Sequence, residues 1–135
     1  MFPPSMVVRR LVDPVVDRVG FGVMEAYVEL VWLPVIGPSA TWMLRRLGAW
    51  LPEWESVIEI DLVELAQMLG LGSSVNTGSS VQRTLRRLVR FGLAHWRGDL
   101  RVRAAVPPLP CRQLSRLPQW VQDAHAALLA GRDAD

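Results

Sequence analysis

Only one cysteine, Cys111, occurs in the 135 residues, so no intramolecular disulfide can form. No secretory signal is read, and a reducing cytoplasm is the expected compartment. Long apolar runs are also missing. Gly20 to Leu44 is apolar, but Glu25, Glu29, Pro34, Gly37 and Pro38 interrupt it, and no run long enough to span a bilayer survives. A membrane partner is therefore not expected. His95, His125 and Cys111 lack metal-ligand spacing, so neither a metal site nor a cofactor is expected. There is no Ser/His/Asp set, paired carboxylate pocket or glycine-rich phosphate loop, and the chain does not read as an enzyme. Lysine is absent altogether: all 15 basic residues are arginine. Codon usage in a GC-rich, bacterial genome accounts for that absence. It does not account for where the arginines cluster.

What is present suits a folded chain. Half of the residues are hydrophobic and 21% are charged, and 135 residues suffice for one domain with a real core. The formal net charge is only +2, so its distribution matters more. Glu53, Glu55, Glu59, Asp61 and Glu64 form an acidic stretch without a base. Between Ser79 and Val106 seven arginines face a single acid, Asp99.

Proline and glycine punctuate the chain into segments. Residues 1–20 read as a mixed, partly helical arm, cut by Pro3, Pro4 and Pro14. Phe21 to Leu33 reads as a helix apolar nearly all round, which must be covered on most sides. Ser39 is expected to cap a second helix, Ala40 to Leu51. Val57 to Ile60 suits a short strand, and Asp61 then caps a helix, Leu62 to Leu69, that Gly70 ends. Gly72 to Ser80 (GSSVNTGSS) reads as a flexible polar loop. Ser79 or Ser80 caps the next helix, which stops at Gly92. Leu93 to Trp96 and Leu100 to Ala105 form a hairpin around Arg97, Gly98 and Asp99. Val106 to Pro110 (VPPLP) is an extended linker. A last helix, about Pro118 to Ala130, carries Trp120, Val121, Ala124, Ala127 and Leu128 on one face. The domain proper spans 21–106, and 107–135 is a linker plus a helix packing on it or on a dimer partner.

The helix after Ser79 carries the functional signal. Wound at about 100° per residue, Val81, Leu85, Leu88 and Val89 fall on one face. Arg83, Arg86, Arg87 and Arg90 fall on the opposite face, and no acid relieves their repulsion at i+4. A polyanion supplies the missing charge. Ser79, Ser80 and Gln82 are further base-edge or phosphate candidates, and Thr84 is a phosphate candidate. Arg97, Arg101 and Arg103 on the hairpin are placed to reach backbone phosphates or the minor groove. Arg101 and Arg103, two apart on a strand, share a face.

From Ala40 to Ala105, about half of the chain, this order resembles the winged helix-turn-helix superfamily. VIEIDLVELAQMLGL, SSVQRTLRRLVRFGLAHW and the hairpin RGDLRVR carry the resemblance. It implies a mainly α fold with a small β-hairpin wing. It also implies sequence-specific binding of double-stranded DNA through the arginine-faced recognition helix, typically by a transcriptional regulator. The loop before that helix is longer than the turn of about 3–4 residues in the compact motif. Regulators of this type pair through outer helices, so a homodimer through the Phe21 and Trp120 helices is expected, with recognition helices roughly 34 Å apart. Two other readings stay open: a winged-helix adaptor between proteins, and a phage or plasmid replication or control protein.

Overall fold

Pro3 and Pro4 keep the chain extended, and the β-branched pair Val7 and Val8 follows. In the computed structural model, which describes residues 1–133, Ser5–Leu11 is a strand, β1. It is an interior strand of a mixed sheet that also holds β3 (Val57–Asp61), β4 (Ala94–Trp96) and β5 (Leu100–Arg103), in the order β3-β1-β5-β4. β1 runs antiparallel to β3, with Met6 opposite Ile60, and parallel to β5, with Val8 opposite Leu100. β4 and β5 form the expected hairpin, with Gly98 at φ 78° in its turn.

Two expectations are corrected here. Residues 1–20 are partly helical as expected, but they are not an arm apart from the domain, since β1 lies inside its sheet; and the fold is mixed α/β, roughly half helical, rather than mainly α. The period-two pattern of β1 is masked by Arg10. It shares the core side with Met6 and Val8, and its guanidinium reaches the Pro52 carbonyl at 2.7 Å.

After β1, Asp13 caps α1 (Pro14–Val19) by accepting the Val16 N–H, with Pro14 in the first turn. A two-residue strand, β2 (Phe21–Gly22), pairs with β6 (Ala105–Val106). Helical backbone therefore begins only at Ala26, not at Phe21. It opens with a π-helical turn, Val28–Trp32, and runs into α2 (Leu33–Ala49). Pro34 lacks an N–H, and its ring would crowd the carbonyl of residue 30; the wider turn before it relieves that clash. The break expected across residues 34–38 narrows to one residue. Gly37, at φ 84° and ψ 168°, interrupts α2, and Pro38 rather than Ser39 opens its second half.

Local signals elsewhere are obeyed. Asp61 caps α3 (Leu62–Met68) by accepting from the Val63 and Glu64 N–H groups, and Gly70 follows at φ 70°. Ser79 caps α4 (Ser80–Arg90), and Gly92 follows at φ 72°. The inner face of the sheet, from Met6, Val8, Ile60, Leu100 and Val102, packs with Met43, Leu44 and Leu47 of α2, Leu62 and Leu65 of α3, and Val81, Leu85 and Leu88 of α4.

Tyr27 is the hub that fastens the C-terminal segment. It is fully buried and stacks on Phe21 with ring centroids 3.9 Å apart. Its oxygen accepts the Leu109 N–H at 2.8 Å, and its hydroxyl lies 2.7 Å from His125 Nδ1. The Trp32 indole N–H also donates to the Pro107 carbonyl at 3.0 Å. VPPLP is thus extended but anchored. Beyond it come α5 (Cys111–Leu114) and α6 (Gln119–Asp133), which packs on the π turn and buries Val121. Trp120 does not share that buried face: it is 65% exposed. Residues 134–135, the end of the 107–135 segment, lie outside the described residues.

The Tyr27 oxygen accepts from Leu109 and its hydroxyl is within hydrogen-bond distance of His125 Nδ1, an arrangement that suits a neutral imidazole accepting the Tyr27 proton. Burial lowers the His125 pKa below its ordinary 6.5. A histidine depressed in this way stabilises the fold above pH 6.5, and the contribution is lost as pH falls through its folded value. Thermal stability should therefore drop between pH 7 and pH 5, and less so in His125→Gln. Tyr27→Phe leaves the Leu109 N–H buried without a partner. It should cost about 1–3 kcal/mol in chemical denaturation.

Candidate nucleic-acid interface

α4 sorts its residues by helical period. Val81, Gln82, Thr84, Leu85 and Leu88 are buried, while Arg83, Arg86, Arg87 and Arg90 are exposed. From Arg83 to Arg90 the helix rises about 10 Å, roughly the height of three stacked base pairs. Each of three guanidiniums is steadied by one hydrogen bond. Arg83 Nη2 donates to Ser80 Oγ at 3.3 Å, Arg86 Nη1 to the Thr77 carbonyl at 3.0 Å, and Arg87 Nη1 to the Ile36 carbonyl at 3.1 Å. A guanidinium has five N–H donors, so most remain free to meet a ligand.

Among the described residues, none of these four arginines has a carboxylate partner. The ion pairs lie elsewhere: Arg9 and Arg101 with Asp99, Arg103 with Asp13, and Arg132 with Glu25. What sets the α4 row apart is its density: four unpaired guanidiniums within eight residues, all on one exposed face.

Beside the row runs a groove of about 640 Å³, lined by all four arginines and floored by Phe2, Val89 and Trp96. The ring of Phe2 meets that of Trp96 edge-on at 5.2 Å. Sequence reasoning missed this wall. No local pattern could bring Phe2 to a helix 80 residues away.

Three of the expected contact residues, Ser79, Gln82 and Thr84, are buried with their polar groups used inside the fold. Gln82 is fully buried: its Nε2 donates to the Phe2 carbonyl (2.7 Å) and the Val75 carbonyl (3.2 Å), and its Oε1 accepts the Phe2 N–H (2.9 Å). It clamps the segment before β1, at Phe2, to the loop before α4, and no group is left for a base edge. That loop, expected to be flexible, is fastened by this clamp and by Arg86. Ser79, 8% exposed, uses its hydroxyl oxygen as the helix cap, and buried Thr84 donates back to the Ser80 carbonyl. Ser80 is half-buried with its oxygen toward Arg83.

The hairpin is also less basic than its composition. Arg103 is mostly buried: its Nε donates to the Gly92 carbonyl and its Nη1 to Asp13, both at 2.8 Å. That hydrogen bond, with the Val16 N–H, holds the Asp13 carboxyl below the usual carboxylate range. Arg101 is half exposed but shares Asp99 with Arg9, which reaches across from β1. Arg101 and Arg103 do share the outer face, as expected, but of Arg97, Arg101 and Arg103 only Arg97 lacks a side-chain hydrogen bond or ion pair among the described residues. Arg103→Ala should lower the denaturation midpoint and leave binding by the folded protein unchanged. Arg97→Ala should do the reverse.

Among the described residues no cluster of His, Cys, Asp and Glu could hold a metal ion, and no helix is long and apolar enough to cross a membrane. Comparison with protein-family models, curated proteins and solved structures finds no match to this chain.

Proposed function

We propose that this chain is a winged helix-turn-helix protein that binds double-stranded DNA sequence-specifically, as a bacterial transcriptional regulator. The order α2, β3, α3, α4, β4, β5 supports that reading, with β1 threaded between β3 and β5 as an addition. In it, α4 enters the major groove, Arg83, Arg86, Arg87 and Arg90 meet guanine edges or phosphates, and Arg97 meets a flanking phosphate. One observation carries the reading: four exposed arginines in a row on one helix face, none with a carboxylate partner among the described residues. Selection of bound duplexes from a random pool should return a consensus. Alanine at a base-reading arginine should relax one position by roughly 1–3 kcal/mol, and at a phosphate-binding arginine should weaken all sequences alike. A pool that returns no consensus contradicts sequence-specific binding.

A homodimer belongs to the same reading. In the Val28–Trp32 turn Val28, Val31 and Trp32 are buried and the exposed residue is the charged Glu29, so the apolar surface available for pairing is the outward face of α6 around Trp120. Light scattering that gives a monomer at all concentrations would sink the dimer.

The second reading, a protein adaptor, is favoured by the apolar floor of the groove. Phe2, Val89 and Trp96 beside four arginines suit an acidic segment with one hydrophobic anchor.

A further inference from the structure

On the other flank of α4, facing the break in α2, lies a second cleft of about 430 Å³. Gly37, Pro38 and Ser39 form one wall, and Ser80, Arg83 and Arg87 form the other; no acid lines it. Arg87 is held in place there. Its Nη1 donates to the Ile36 carbonyl, and Gly37 lets it lie close, since a Cβ at position 37 would stand 3.2 Å from that nitrogen. Gly37 is also at φ 84°, a conformation that side chains disfavour. Arg83 is braced by Ser80 Oγ, whose own proton is left to donate outward. The Ser39 hydroxyl is on an exposed residue and has no hydrogen-bond partner among the described residues.

We propose that this cleft seats a single phosphate group, held by the Arg83 and Arg87 guanidiniums with the Ser39 and Ser80 hydroxyls. Two guanidiniums one helical turn apart, with two hydroxyls, present donors from several directions. That arrangement fits a tetrahedral oxyanion better than a planar carboxylate, which one arginine grips side-on. The phosphate belongs either to a DNA backbone, in which case the inference rests on the duplex reading above, or to a free phosphomonoester.

The test uses Ser39→Glu, which places a carboxylate at the cleft and leaves α4 untouched. An acid in the first turn of a helix is well tolerated, so the variant should fold, and its amide spectrum checks this. Inorganic phosphate is titrated into both proteins at low salt and followed by amide shifts. The wild type should give saturable shifts at residues 39–40 and 80–87, and Ser39→Glu should lose them. Random duplex is then titrated into both. A tenfold or greater loss in Ser39→Glu, with the log–log salt slope shallower by about one, identifies a DNA phosphate. Unchanged duplex affinity identifies the free ligand. Phosphate shifts in a wild type that binds no duplex retain the cleft and refute the DNA reading. No saturable phosphate shift at these residues overturns the proposal, whatever the duplex does.

Discussion

Changing Arg83, Arg86, Arg87 and Arg90 together to alanine should lower duplex affinity by about 10³-fold or more, while the protein stays folded. Each arginine that grips a base or phosphate is worth about 1–3 kcal/mol, so four lost contacts leave little specific or non-specific binding. The fold should not suffer. All four side chains are exposed, none takes part in an ion pair among the described residues, and their neighbours along α4 repel one another. Relieving like charge at i,i+3 and i,i+4 offsets the few hydrogen bonds lost to Ser80, Thr77 and Ile36. Stability measured by denaturant should therefore move by no more than about 1 kcal/mol. A quadruple variant that binds duplex as tightly as the wild type would remove α4 from the interface.

Gln82→Leu should do the opposite: destabilise strongly and leave the folded protein's affinity intact. The substitution keeps most of the volume but removes three hydrogen bonds at a fully buried site. The Phe2 N–H and carbonyl and the Val75 carbonyl are then left without that partner. Unpaired buried groups cost about 1–3 kcal/mol each, partly recovered by relaxation, so a loss of about 2–4 kcal/mol is expected. Chemical denaturation reads the loss, and binding measured well below the midpoint reads the affinity. A Gln82 variant of native stability with weakened binding would return this residue to the interface.

These two residue sets mark the limit of what the sequence made legible. Arg83, Arg86, Arg87 and Arg90 could be assigned to one exposed face because helical period is a local property. The same holds for the caps at Asp61 and Ser79 and for the turns at Gly70, Gly92 and Gly98. Gln82 lies next to Arg83 in sequence, and nothing local distinguishes a polar side chain that reads DNA from one that clamps a distant backbone. Its partner Phe2 lies 80 residues away. The pairs Arg9–Asp99 and Arg103–Asp13 are each separated by 90 residues; the second neutralises a hairpin arginine, and the first makes the hairpin's own acid serve β1 as well as Arg101. β1 escaped notice for the same reason. Its partners, Ile60 and Leu100, sit far along the chain, and Arg10 on its core side breaks the alternation that announces a strand. Helices and turns are written in neighbouring residues, whereas sheet order and charge pairing are settled only when the chain closes.

Duplex binding through the α4 arginines is tested most directly by the salt dependence of the wild-type protein's affinity for random duplex. Four or more phosphate contacts predict a log–log slope of roughly −3.6 or steeper. A flat response, or no measurable binding at low salt, would contradict the DNA reading and turn attention to an acidic protein partner for the same arginines.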